Sequence, residues 1–183
     1  MSKLKEQLIE LTKLRYSTWP ILMQTMKVDT VHRKDDLTDD QDDHVAWILR
    51  CHLLSEVILD KLIELALQPN GNAILSLRLS YNKKLDLISK CVLSDDYELV
   101  PEIVIQSLKK LNKIRNRLAH ELGATVTQQD VIDLFMGIEH ITMPDDPINA
   151  PITELIYQYT PFIFGCMLPK YEFIETENEF PTK

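Results

Sequence analysis

The sequence predicts an all-α fold, and three observations carry that reading. Glycine occurs only four times in 183 residues, too seldom for many tight hairpin turns. Apolar residues recur at helical spacing through the long segments between the breaks. Apolar residues make up 45% and charged residues 26%, as in an ordinary globular chain long enough to bury a core. The expected organisation is one helical domain over residues 1–183. It divides into an N-terminal helix and acidic loop (1–43), a helical core (44–141) and a C-terminal extension (142–183).

Residues 2–17 place Leu4, Leu8, Leu11 and Leu14 on one helical row, and Trp19-Pro20 ends that run. "HRKDDLTDDQDDH" (32–44) holds six aspartates. It lacks the Gly and Glu positions of a calcium loop, so it reads as a solvated loop in which Asp42 or Asp43 caps the next helix. Residues 44–67 are apolar around most of the helix circumference and predict a central or partner-facing helix. "QPNGN" is a break. Residues 73–92 fit one helix through Ile74, Leu77, Tyr81, Leu85 and Ile88, although Leu75, Leu77 and Leu79 also alternate like a strand. "LSDDYELVP" reads as a loop, and Pro101 suits the first turn of a helix that runs to about Leu122 and stops at Gly123. Thr127 and Asp130 form a start signal for a further helix. A last helix is expected over about 152–168, interrupted near Pro161. The tail 170–183 reads as frayed.

The net charge of −8 argues against a whole-surface grip on nucleic acid. Three widely spaced cysteines, with no secretory signal before them, fit reduced thiols in the cytoplasm. No stretch has the length of a membrane span, so no membrane partner is expected. Phosphate-binding loops, dinucleotide fingerprints and paired CxxC motifs are missing. His44, Cys51 and His52 lie close in sequence but without metal-ligand spacing. No metal or other cofactor is expected.

The chemistry concentrates in "KIRNRLAHELG" (113–123). At about 100° per residue, Val104, Leu108, Leu111, Ile114, Leu118 and Leu122 share one arc. Lys109, Lys113, Asn116, Arg117 and His120 share the opposite one. This is a basic stripe ending at an imidazole, which suits either a phosphate polymer or an ordinary solvated face. Arg115 falls on the apolar side, roughly 140° from His120. An inward Arg needs an acceptor, and Glu56 on the helix 44–67 is the candidate. Arg115 and His120 meet only if the helix is distorted or if two copies face each other.

"RNRLAH" (Arg115–His120) resembles the R-x4-6-H motif of the HEPN superfamily, with Asn116 at the polar position that follows the Arg. The resemblance extends through "HVAWILRCHLLSEVILDKLIELAL", "LSYNKKLDLISKCVL" and "LKKLNKIRNRLAHE", covering roughly 45–140, and includes the related mannitol-operon-repressor-like group. It implies a HEPN-like helical bundle with short terminal extensions that forms a homodimer. In many members two motifs build one composite cleft for metal-independent RNA cleavage, often in toxins or antiviral effectors. Others are non-catalytic regulatory or interaction proteins.

The resemblance thus implies Arg115, Asn116 and His120 as catalytic residues; the stripe itself would place Lys109, Lys113 and Arg117 on the RNA backbone, with Glu56 supporting Arg115. The neighbouring 2′-hydroxyl would be the nucleophile. His120 is the group in the stripe able to exchange protons near neutral pH, and Arg115 offers a planar fork to phosphate. Two functions follow as expectations: a toxin or defence endoribonuclease with RNA and an antitoxin as partners, or a regulator that binds another protein.

Overall fold

The computed structural model describes residues 9–10, 12–13, 41–94, 97–135, 137 and 147–167. Most of the expected helix 2–17, the loop 32–40 and the tail 170–183 lie outside these.

The longest apolar segment forms α1 (Gln41–Ala66), 26 residues. It begins before Asp42 and Asp43, so these two sit in its first turn rather than at its cap. One side buries Ile48, Cys51, Ile58, Leu59, Leu62 and Ile63. After the turn at Pro69, Gly71 opens a short helix α2 (Gly71–Leu75). A Cβ at Gly71 would stand 2.7 Å from the Glu64 backbone, so only glycine lets the chain fold back this closely on α1.

The single helix expected over 73–92 is two helices. Arg78 takes a left-handed φ of 54°, which ends helical propagation, and α3 (Tyr81–Ile88) restarts behind Ser80 in extended geometry. The break turns Tyr81 into the core, where its hydroxyl lies 2.6 Å from Ser55 Oγ. Leu77 is left exposed. The segment expected as a plain loop contains a minimal antiparallel ribbon, β1 (Val92–Ser94) with β2 (Tyr97–Glu98), pairing Val92 with Glu98 and Ser94 with Tyr97.

Pro101 precedes α4 (Glu102–His120), whose first-turn Glu102 N–H donates to Glu98 Oε2 at 2.9 Å. Val104, Ile105, Leu108, Leu111 and Ile114 are buried. The helix ends at His120, two residues earlier than expected, so Leu122 lies outside it and is fully exposed instead of joining the core arc. Gly123 follows with φ 80°. The start signal at Thr127 is realised as a reciprocal cap. Asp130 Oδ2 accepts from Thr127 N at 2.7 Å, and Thr127 Oγ1 accepts from Asp130 N at 3.1 Å. It opens α5 (Gln128–Phe135).

The last helix, α6 (Ile152–Met167), runs unbroken through Pro161, contrary to the expected interruption. A proline removes one hydrogen bond and crowds the preceding turn. Here Tyr159, Thr160, Ile163, Phe164 and Met167 are all buried, and each large apolar side chain kept from water contributes about 1.5–3 kcal/mol. Thr160 Oγ1 also donates to the Ile156 carbonyl at 3.0 Å.

α4 packs against α1, α3, α5 and α6, and α1 packs against α2, α3 and α6. The expected pairing of the helix 44–67 with the helix 101–122 is therefore realised in α1 and α4. One continuous apolar core joins all of them, and α4 stands between its α1 and α5 neighbours with one ridge facing outward. His44, Cys51 and His52 diverge. His44 Nε2 lies 3.0 Å from Thr153 Oγ1, Cys51 Sγ lies 3.6 Å from Thr160 Oγ1, and His52 Nε2 lies 3.0 Å from Asn112 Oδ1. Burial pushes the Cys51 thiol up to about 12, against the opposing pull of Thr160, so it has no nucleophilic character at neutral pH. Among the described residues no helix is long and apolar enough to cross a membrane.

Candidate functional site

The motif sits on the last two turns of α4, which is helical without interruption from Glu102 to His120. Helical periodicity then points Arg115 and His120 to different sides. Arg115 lines a groove of 320 Å³ with His52 and Glu56 of α1, Ser80, Tyr81 and Asn82 at the start of α3, and Asn112 of α4. His120 lines a second, open groove of 590 Å³ toward α5, together with Lys113, Arg117, Glu121, Asp130 and Asp133. Asn116 borders both.

The Arg115 groove has a hydrogen-bonded wall built on buried His52 and Asn112. His52 donates from Nε2 to Asn112 Oδ1 at 3.0 Å, and Asn112 Nδ2 donates to Asn82 Oδ1 at 3.0 Å. The His52 ring leans on Tyr81 at 4.2 Å between centroids. Burial lowers the His52 pKa from its usual 6.5. Nearby Arg115 and Lys84 push the same way, while the bond to Asn112 and the Glu56 carboxylate oppose them. The ring is therefore neutral at pH 7. Arg115 itself donates to Asn116 Oδ1 at 3.0 Å and meets no carboxylate within ion-pair distance among the described residues.

That last observation corrects the expected role of Glu56. Glu56 shares the groove with Arg115, but its Oε1 accepts from Lys84 Nζ at 2.9 Å, and Asp60 Oδ1 lies 2.7 Å from the same ammonium. Lys84 is buried. Burial alone would lower its pKa, but the two carboxylates outweigh that and raise it. The pairing follows from packing: α3 lies across α1, one turn of which carries both acids, whereas Arg115 is satisfied locally by its neighbour.

The basic stripe is divided as well. Lys109 pairs with Asp86 of α3 at 2.9 Å and lines neither groove. Lys110 donates to the Asp133 carbonyl at 2.7 Å. Arg117 is bound closely by Asp130, the same carboxylate that caps α5. Lys113 and His120 are exposed and have no ion-pair or hydrogen-bond partner among the described residues. Lys113, Arg117 and His120 are thus brought together with Asn116, Lys109 is not, and Arg117 is already neutralised. With Asp130, Asp133 and Glu121 on its walls, this groove is close to charge-balanced.

Sequence reasoning considered His52 only in setting aside a metal site, and missed Asn112, Tyr81 and Asn82 as site residues. A signal existed for Asn112. Asn112, Arg115 and Asn116 stand at i, i+3 and i+4, a polar row flanking the apolar arc of α4. Asn82 and Tyr81 carry no such pattern. They reach the site through the break at Arg78.

The outer side of α1 next to this groove carries Leu49, Leu53 and Val57 at four-residue spacing, 37%, 61% and 56% exposed. They form an apolar strip that continues from the row of His52 and Glu56.

No protein-family model, curated protein or solved structure matches the chain.

Proposed function

We propose that this chain is a metal-independent endoribonuclease of the HEPN type, acting as a homodimer in a toxin–antitoxin or antiviral setting. The observation that carries the reading is the division of the motif by an unbroken helix. A phosphate ligand and a proton-transfer group lie on one α4 but open into separate grooves that share Asn116. One protomer's Arg115 and its partner's His120 complete each other when two α4 ridges face across a two-fold axis. The exposed strip of Leu49, Leu53 and Val57 beside the Arg115 groove supports such a contact, because three aligned apolar side chains on one helix favour burial.

In this reading Arg115 holds two oxygens of the scissile phosphate and offsets charge on the phosphorane. The 2′-hydroxyl attacks phosphorus and gives its proton to the neutral His120 imidazole, and the imidazolium so formed then protonates the departing 5′-oxygen. A 2′,3′-cyclic phosphate and a 5′-hydroxyl result. One His120 ring in each of the two clefts takes both roles in turn. His120 lies in the last turn of α4 and is exposed to solvent, within reach of an entering RNA strand. Lys113 attracts the backbone.

The test is incubation of purified protein with mixed RNA in excess chelator. Wild type should cleave, His120→Ala and Arg115→Ala should not, and Lys113→Ala should only weaken binding and flatten its salt dependence. A monomer in sedimentation, or equal cleavage by wild type and His120→Ala, overturns the reading.

A second reading is favoured by the charge balance of the His120 groove, where Asp130 occupies Arg117 and Asp133 and Glu121 also line the walls. There the chain is a non-catalytic HEPN-like regulator, similar to the mannitol-operon-repressor group, whose α1 strip takes a protein partner. Folded wild-type dimer that cleaves no RNA favours this second reading.

A further inference from the structure

The Arg115 groove offers more donors than a phosphate uses, and its hydrogen bonds give it a direction. His52 Nε2 donates to Asn112 Oδ1, which leaves Asn112 Nδ2 to donate to Asn82 Oδ1. The Asn82 carbonyl is thereby spent on the wall, and its amide N–H groups remain for a ligand. Arg115 does the same to Asn116, occupying its Oδ1 and leaving its Nδ2. Ser80 adds a hydroxyl to the same rim. Glu56 lines the same groove, and one of its oxygens already holds Lys84. The volume of 320 Å³ exceeds a phosphate group and falls at the lower end of sites that enclose small organic ligands.

We propose that this groove is a nucleobase site that selects an oxo-bearing base, uracil or guanine, of single-stranded RNA beside the phosphate on Arg115. It rests on Arg115 as the phosphate ligand, though not on cleavage. The oxo groups accept from Asn82, Asn116 and Ser80, and the ring N–H next to the carbonyl donates to the remaining Glu56 oxygen. Adenine and cytosine present an exocyclic amino group where the rim already presents N–H, so donor meets donor and a hydrogen bond is lost. Asn112 is a positioning residue. Tied to buried His52, it keeps the Asn82 amide turned carbonyl-inward.

The test uses full-length His120→Ala protein and fluorescein-labelled oligo(U), oligo(A) and oligo(C) of about ten nucleotides, a length chosen so that phosphate contacts are equal across the three. Fluorescence anisotropy should give oligo(U) about tenfold tighter binding than oligo(A) or oligo(C), with GMP competing better than AMP. Asn82→Ala should bring the three oligonucleotides together, Asn112→Ala should lower the uracil preference with little loss of oligo(A) binding, and Arg115→Ala should weaken all three. Melting curves for each variant check folding. Equal binding of the three by the parent protein, or an unchanged uracil preference in folded Asn82→Ala, overturns the site. Cleavage by wild type with equal oligonucleotide binding removes the base site and spares the ribonuclease reading. Uracil preference without any cleavage by wild type does the reverse.

Discussion

The two grooves on either side of α4 differ in what their charges are doing. In the groove toward α1 and α3 a single arginine touches only a neighbouring amide, while the wall behind it is held by the hydrogen bonds of buried His52 and Asn112. In the groove toward α5 there are more cations, but Arg117 is bound to Asp130 and Lys110 to a backbone carbonyl. Of Lys110, Lys113 and Arg117 only Lys113 is left without a partner among the described residues, so each groove offers one basic side chain free of a carboxylate despite the difference in count. Counting basic residues along a helix measures charge supplied. Availability depends on the acids that neighbouring helices bring.

The largest effect separates the grooves between protomers. If Arg115 of one copy works with His120 of the other, mixing and refolding the two inactive variants Arg115→Ala and His120→Ala should restore activity. Half the dimers are then mixed and each has one intact cleft, so recovery should be about a quarter of wild type. Cleavage of labelled RNA after co-refolding measures it, and no recovery places both groups in one chain.

A smaller effect tests the wall of the Arg115 groove. Lys84→Met strands Glu56 and Asp60 against α3, and should lower stability by about 2 kcal/mol, less than for a fully buried pair because both acids are partly exposed. Glu56→Ala leaves Lys84 its Asp60 partner and should cost less. Urea denaturation that ranks the two the other way would restore a burden on Glu56 beyond Lys84.

Asp130→Asn probes the opposite groove. It keeps a capping side chain but releases Arg117, so stability should fall by about 1 kcal/mol or less. RNA affinity should rise, and the salt slope of binding should steepen by about one counterion. Unchanged affinity would mean that Arg117 does not face the ligand.

The smallest effect is a pH dependence. The folded-state pKa of His52 is depressed below its usual 6.5, chiefly by burial, so the unfolded chain binds more protons as pH falls through that value. The contribution of His52 to stability is complete above about 6.5 and declines below it. Melting temperatures of wild type should drop on acidification more steeply than those of His52→Gln. Parallel curves would show that the ring protonates as readily in the fold as outside it.

Much of the fold is legible in local pattern because helix geometry is local. The apolar arc of α4, the cap at Thr127 and Asp130 and the stop before Gly123 each depend on residues within one or two turns. The roughly 140° between Arg115 and His120 also follows from spacing on an unbroken helix. The pairing of α1 with α4 follows from two faces that each need apolar cover.

What the tertiary structure alone decided is the choice among competing partners. Glu56 had two cations within its reach in principle, and the crossing of α3 over α1 delivered Lys84, 28 residues away, while Arg115 turned to Asn116. Delivery of Tyr81 to Ser55 goes with a break at Arg78 that the periodicity of 73–92 does not contain. Burial along α6 holds the helix through Pro161, against the local preference. Asp130, read in sequence as a cap, also neutralises Arg117 because α5 packs beside α4. In each case the outcome depends on a contact between segments far apart in sequence, and a linear pattern encodes only local preferences.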